Sequence, residues 1–427
     1  MGLHADQART KRPPSADEPK PAPSRRSVHG LDGFIFFVAD VQTGFGPFVS
    51  VYLTAQAWTQ LDIGVILSVG GLAALAGQVP GGALVDAARS ERFVAALAIV
   101  VIGLSALSIA IWPIYPVVLA AAVLHSLASC VLGPAMAAIS LGLVGHDAIG
   151  ERLGRNARFA SIGNGLAAAI MGLCGYFISN RAVFVVTALL VVPALFMLAR
   201  IRADEIDIVR AHGGVVAAQP TRRRRLADLW HLAAQRSFVV LAIGIALFHL
   251  ANASMLPIMA RIVTTRAGAW ASILIAACIV VPQLVVALVS PRVGREAQRI
   301  GRRPLVLLAL AALVLRGVLF TLVRDPAFIV VIQILDGIAA ACVGVMVPLI
   351  VADVTRGTGH FNLGLGMMGT AIGLGASVST TASGYITDHH GSAMAFAALT
   401  LAAGIGFAWI WLLMPETRRP PDRRTSP

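Results

Sequence analysis

Few residues in this sequence can do chemistry, and they stand far apart. Asp40 is a carboxylate set in an apolar run, with Gly44 and Pro47 following on nearly the same helical face. The Gly44 to Pro47 stretch beside it would loosen a helix and turn backbone carbonyls toward a cavity. Such an acid can take up and release a proton or hold a ligand. A second acid, Asp336, follows Gln333 by three residues, which puts both on one face, and Gly337 leaves room beside them. Arg316, in the preceding apolar run, is the candidate partner of Asp336, because a lone buried guanidinium would be costly. His125 and His249 carry imidazoles that change charge near neutral pH and can relay a proton. Asn252 lies one turn beyond His249, and Asn164, like Gln78 and Gln283, is a polar group that bonds between helices or lines a cavity.

Other chemistries find no support. The sequence has neither the H-E-x-x-H zinc motif nor the G-x-x-x-x-G-K-[ST] nucleotide loop. Cys130, Cys174, Cys278 and Cys342 stand singly in four apolar runs, and the His389-His390 pair has no third ligand at a useful spacing. Neither an enzyme, a catalytic residue, a metal site nor a cofactor is expected.

The elements that must position these groups are membrane spans. Hydrophobic residues make up 57% of the 427 residues and charged ones only 13%, against roughly 25% charged in an average soluble domain. The apolar residues gather in runs long enough to cross a bilayer, at 33–55, 61–85, 93–112, 116–144, 158–179, 182–199, 238–262, 270–291, 304–323, 327–351, 362–387 and 393–414. The reading is an all-α membrane protein with 12 transmembrane helices in two six-helix bundles. It divides into a disordered tail at 1–30, a first bundle at 31–200, a linker at 201–236, a second bundle at 237–415 and a tail at 416–427.

The net charge of +13 fits lipid headgroups better than nucleic acid. Of the 34 Lys and Arg residues, only Arg181, Arg261, Arg266 and Arg324 fall in the loops of one side. Arg316 is inside a span, and the rest, including the Arg222 to Arg225 cluster, share the other side with both termini. That bias places both termini in the cytoplasm.

The two halves repeat. Pro47 matches Pro257 and Asp86 matches Glu296 at an offset of 210 residues, while His125 aligns with Gln333 and Gly175-Tyr176 with Gly384-Tyr385 at nearly the same spacing. Two related bundles with a path between them is the architecture this implies.

After the second span the chain reads Gly82, Leu84, Asp86, Arg89 and Arg92 in the order G-x-L-x-D, and after the eighth it reads Glu296, Arg299, Gly301, Arg302 and Arg303. These stretches resemble the G-x-L-x-D-R-x-G-R-[RK] loop of the major facilitator superfamily, with Ala87 in place of the Arg after the acid. The resemblance runs over residues 31–415. It implies secondary active transport of a small organic molecule by alternating access in a monomer of a bacterial inner membrane. It further implies that Asp86 latches the cytoplasmic side against the start of the eleventh span, near Gly359 to Asn362. Proton-coupled export is the expected direction. Proton symport of a metabolite is the alternative, and a sensor that keeps the fold without transport is a remote third reading.

Overall fold

The computed structural model describes residues 22–43, 46–214, 230, 232, 234–266, 271–323 and 325–418 of the chain. All regular structure among these residues is helical. The first half comprises α1 (Arg25–Thr43), α2 (Gly46–Ala55), α3 (Gln60–Ala87), α4 (Glu91–Ile111), α5 (Tyr115–Phe177) and α6 (Asn180–Arg200). A short α7 (Ile208–Ala211) sits in the linker. The second half comprises α8 (Arg236–Asn252), α9 (Met255–Arg266), α10 (Ala271–Ile300), α11 (Arg303–Leu322), α12 (Pro326–Val354), α13 (Phe361–His390) and α14 (Ser392–Leu413).

Ten of the described helices are long and apolar enough to cross a membrane. The count reaches twelve crossings because α5 makes two and the pair α1–α2 makes one. At 63 residues, a straight α5 would be about 95 Å long, some three times the hydrocarbon thickness. It turns back at Gly145, whose φ of 72° belongs to the left-handed region that glycine enters without penalty. The crossing that opens the second half is interrupted, with residues 253 and 254 separating α8 from α9. Pro47 of α2 and Pro257 of α9 each fall in the first turn of their helix, where a missing N–H costs nothing. Gly44, part of the expected loosening beside Asp40, lies outside the described residues. Side chains of Ser90 and Ser179 cap α4 and α6 by accepting from Phe93 N and Ala182 N, each worth about 1 kcal/mol.

Three sequence expectations change. The helix that opens the first half starts at Arg25 rather than 31, within the stretch expected to be a tail. The fifth crossing begins immediately after Gly145, so Arg152, Arg155 and Arg158 ride on a helix and not in a loop. The hydropathy of that stretch dips because it carries these arginines, and the dip reads as a loop. The chain after α14 remains attached: Glu416 accepts from the backbone N–H of Arg302 (2.9 Å) and Arg303 (3.1 Å). The linker is likewise docked as far as Gly214, while the Arg222 to Arg225 cluster lies outside the described residues.

Each half has its own apolar core, one built around Phe34, Ile99, Leu132 and Phe184, the other around Phe238, Leu313, Met346 and Phe396. The halves meet chiefly through α5 on α10 and α3 on α13.

Candidate functional site

The contacts between halves gather at the end of the bundle that carries the arginine-rich loops, here called the basic end. They depend on glycine. A methyl group built on Gly82 would strike the carbonyl oxygen of Asn362 and lie 3.1 Å from Leu363 Cα, and one on Gly366 would strike the Gln78 carbonyl and lie 3.1 Å from Val79 Cα. On the other side of the pseudo-dyad, a methyl on Gly294 would lie 3.0 Å from the Gly150 carbonyl carbon, and one on Gly154 would lie 3.1 Å from Pro291 Cα. The two contact sets are copies, with Gly82 and Gln78 of α3 standing where Gly294 and Ser290 of α10 stand. Their offset is 212 residues. This corrects the sequence alignment at 210, which paired Asp86 with Glu296. Packing pairs Asp86 with Gln298, because the last turns of α10 hold an acid two residues too early.

The carboxylate therefore acts on one side only. Asp86 accepts from the backbone N–H of Asn362 (3.1 Å) and Leu363 (2.7 Å) and from Asn362 Nδ2 (2.8 Å). These are the free amides of the first turn of α13, where the helix dipole favours a negative charge. The expected dock near Gly359 to Asn362 is where these bonds fall. Arg89 is exposed beside it and Arg92 is half-buried in the first turn of α4.

The echo of the motif does something different. Glu296 and Arg299 are surface residues paired with each other at 3.1 Å. Arg302 is buried and binds Asp353 at 2.8 Å and the Ala297 carbonyl at 2.8 Å, while Gly301, at φ 98°, lets the chain turn tightly against Glu416. Arg303 donates to the Trp411 carbonyl. All these partners belong to the second half, so Gly301 to Arg303 staples that half internally and does not bridge the two.

Beyond the glycine contacts lies a cavity of about 460 Å³ between the halves, lined by α1, α3, α5, α12 and α13. Its polar groups are Gln42, Gln78, Ser129 and Asn156, and the rest is apolar, with Met136 and Met368 prominent. Asn156 is already engaged, accepting from Arg152 Nε at 2.6 Å and donating to Ser140 Oγ at 2.8 Å. Of the ten ionisable or amide residues singled out from sequence, Gln78 lines this cavity and the other nine, Asp40 among them, do not.

The reason is that each half satisfies its own charges. Arg316 is buried and donates to Asp336 (2.7 Å) and Asn252 Oδ1 (2.6 Å), with its guanidinium 5.2 Å from the Phe320 ring centre. Gln333 is fully buried one turn before Asp336 on α12. His249 is half-buried on α8, just before the interruption. His125 is half-buried, 3.5 Å from Ser129 Oγ, one turn from the cavity wall. Asn164 is half-buried on α5 next to Gly163, which abuts the Phe36 carbonyl of α1. Asp40 is 3% exposed, and its Oδ1 has no hydrogen-bond partner. It lies two residues from Gln42, so about 160° around the helix from the cavity wall.

Sequence reasoning missed a second charge cluster. Asp32, buried in α1, binds Arg152 at 2.6 Å and Arg155 at 2.6 Å, and Arg158 Nε crosses to the Ala287 carbonyl of the other half at 3.0 Å. Asp32 falls at the polar edge of the first apolar run and the arginines in the apparent loop. Only their placement on a helix would have exposed the pairing.

The Arg316 arrangement yields a stability prediction. Arg316→Met leaves the half-buried Asp336 without its partner, a loss of about 3 kcal/mol, the low end for a broken buried pair because the carboxylate keeps some access to solvent. The thermal unfolding midpoint of the detergent-solubilised protein should fall by several degrees. The double variant Arg316→Met with Asp336→Leu should recover most of it, since a well-packed apolar pair can replace a buried ion pair.

Comparison with known proteins follows the same lines. The sequence profile of the MFS_1 like family matches residues 29–398. Two proteins of Mycobacterium tuberculosis, the uncharacterized MFS-type transporters MT2531 and Rv2456c, are each 37% identical over 401 residues, covering 92% of this chain and 94% of theirs. Among solved structures, the proton:xylose symporter XylE superimposes with a TM-score of 0.68 at 13% identity, over 92% of this chain and 96% of that one. The human organic anion transporter MFSD10 (TETRAN) does so at 0.66 and 14% identity, over 90% and 99%.

Proposed function

The chain belongs to the MFS_1 like family, within the major facilitator superfamily, and on that premise we propose that this transporter exports a small uncharged organic molecule in exchange for protons. Membership makes it a multi-pass membrane transporter and not an enzyme. The basic end faces the cytoplasm of a bacterial inner membrane, following the distribution of arginine. One chain is the working unit, and its two halves rock about the cavity.

The observation that carries this reading is the 460 Å³ cavity between halves that are pressed together at the basic end. This is an outward-facing arrangement, with Gly82, Gly366, Gly150 and Gly154 as the closed inner gate and Asp86 as its latch on α13. The size suits a small ligand, since binding pockets run from about 300 to 1,000 Å³. The chemistry of the wall argues for an uncharged one. Among the described residues no Asp, Glu, Lys, Arg or His lines it; Arg152 and Arg155 share Asp32 and Arg316 holds Asp336 away from it, so the wall offers amides, a hydroxyl and apolar surface.

Asp40 is the proposed coupling acid. A buried polar atom with no partner costs about 1–3 kcal/mol, a penalty that another conformation can relieve. That is the behaviour of a group that changes protonation during a cycle. His125, Asn164, His249, Asn252, Gln333, Arg316 and Asp336 take supporting parts, as proton relays or as the hydrogen-bonded frame that holds each half rigid.

The test is a panel of neutral, anionic and cationic compounds of matched size, each applied to proteoliposomes that enclose a pH-sensitive dye. Neutral members should move protons, and Gln78→Leu should weaken their apparent affinity by about 5- to 10-fold, the worth of one hydrogen bond to an uncharged ligand. A response confined to the charged members would refute the uncharged substrate while leaving transport intact.

A further inference from the structure

The linker after α6 is anchored to the first half. Arg202 N donates to Ser27 Oγ at 3.0 Å, Asp207 N donates to the Gly142 carbonyl at 3.0 Å, and Ile206 and Ala211 bury against Gly142. It then runs straight across the inner gate. The Ala211 carbonyl accepts from Asn362 Nδ2 at 3.3 Å, the His212 carbonyl accepts from Phe361 N at 3.5 Å, and the Gly213 carbonyl accepts from Gly357 N. Gly213, at φ 90°, fits against the Thr355 carbonyl of the second half.

At the crossing point one residue faces both ways. The backbone of His212 holds the start of α13, while its side chain enters the corner between α3 and α4. There Nε2 lies 3.1 Å from Glu91 Oε1, and both side chains are 3% exposed. Asp86 of the latch stands beside the same ring. Asn362 thus touches the latch and the linker at once.

We propose that His212 is a proton-operated bolt on the inner gate: its imidazolium pulls Glu91 and Asp86 of the first half onto a linker whose backbone grips the α12–α13 corner of the second. Charged and titratable groups around it are Asp86 on α3, Glu91 on α4, and Asp207 and Arg210 of the linker, which pair with each other at 3.6 Å. α5 contributes His146 and Asp147, beside Arg210 and Arg356. The second half meets the ring's own residue with the Phe361 amide and no carboxylate among the described contacts.

Burial alone would drive the imidazole toward its neutral form. The carboxylate of Glu91 at 3.1 Å, the negative charge of Asp86 and the nearby Val85 carbonyl outweigh that and raise its pKa above the ordinary value of 6.5. The sign follows. Protonation favours the closed gate, fully so below the ordinary histidine range, and the effect fades as pH rises through the raised value. An acidifying cytoplasm bolts the gate, and an alkaline one frees it. Proton leak through the carrier is thereby restrained when the cell interior is already acid.

The inference rests on the basic end being the moving inner gate, and the experiment separates the two ideas. Spin labels would be placed on cysteines at the exposed positions Phe93 of α4 and Ile300 of α10, with the four native cysteines replaced by alanine. Distances are then read from pH 6 to 8.5. In the otherwise wild-type chain the closed-to-open ratio should fall by up to about tenfold per pH unit across the transition, the limit for one linked proton. His212→Gln should flatten the profile. Glu91→Gln should keep a transition but move it to lower pH. If His212→Gln retains the full profile, or Glu91→Gln leaves its midpoint in place, the bolt is refuted and the gate stands. If no variant, Asp86→Asn included, ever changes the distance, the gate reading itself fails.

Discussion

Gly366→Leu should wedge the inner gate open. A side chain there meets the Gln78 carbonyl and Val79 Cα, which are backbone atoms that cannot rotate aside. Overpacking of this kind costs about 1–3 kcal/mol. If that cost falls only on the closed state, the population shifts toward the open one by roughly 5- to 150-fold. Gly154→Leu, on the other side of the pseudo-dyad, should act the same way. Gly384→Leu is the control, because a methyl there meets nothing within 4 Å. The readout is alkylation of a cysteine placed at the cavity residue Met136, using a membrane-impermeant reagent applied from the basic side. Faster labelling in the two wedge variants and not in the control is the expected result. Equal rates in all three would mean that these contacts do not close the gate.

How legible this was in the sequence depended on whether a residue carried its own constraint. Arg316 and Asp336 were readable as a pair because a charge inside a span must find a partner within reach, and only one acid was nearby. Asp86 was readable because a carboxylate at the end of a span seeks helix amides. The twelve crossings followed from segment length alone. The cavity wall was legible only at Gln78. Gln42 looks like any polar residue in an apolar run and Asn156 falls in the apparent loop, and only the packing of five helices selects them. Charge drew the reading to Asp40, yet a charged group in a span is buried in its own half because water is excluded there. The register of the repeat was also beyond reach. Glu296 and Gln298 are two residues apart, and the glycine contacts of Gly294 with Gly150 decide between them. His212 and Glu91 lie 121 positions apart, each in a stretch that reads as surface, and no local pattern joins them.

Asp40→Asn should abolish substrate-driven proton movement while leaving the protein folded and able to bind. The amide occupies the same volume and hydrogen-bonds, but cannot carry a proton on and off. Proton flux in proteoliposomes should fall by at least on the order of 100-fold, the scale on which positioned proton carriers act. Binding of a neutral compound, read as thermal stabilisation, should persist. Asp40→Glu should restore part of the flux. If Asp40→Asn moves protons at the wild-type rate, the coupling acid lies elsewhere, and Asp336 becomes the next residue to replace.

The central claim is that two halves rock about one cavity, so that when one end closes the other opens. Distances at both ends, measured on the same protein, test it most directly. Labels at Phe93 and Ile300 report the basic end, and labels at the exposed Tyr176 of α5 and Tyr385 of α13 report the far end. The measurement compares the wild-type chain with Gly366→Leu, in lipid nanodiscs. The account predicts two populations at each end with opposite changes: as the wedge lengthens the basic-end distance, the far-end distance must shorten. A basic end that opens while the far end keeps its distance, or both ends widening together, would contradict alternating access in this protein.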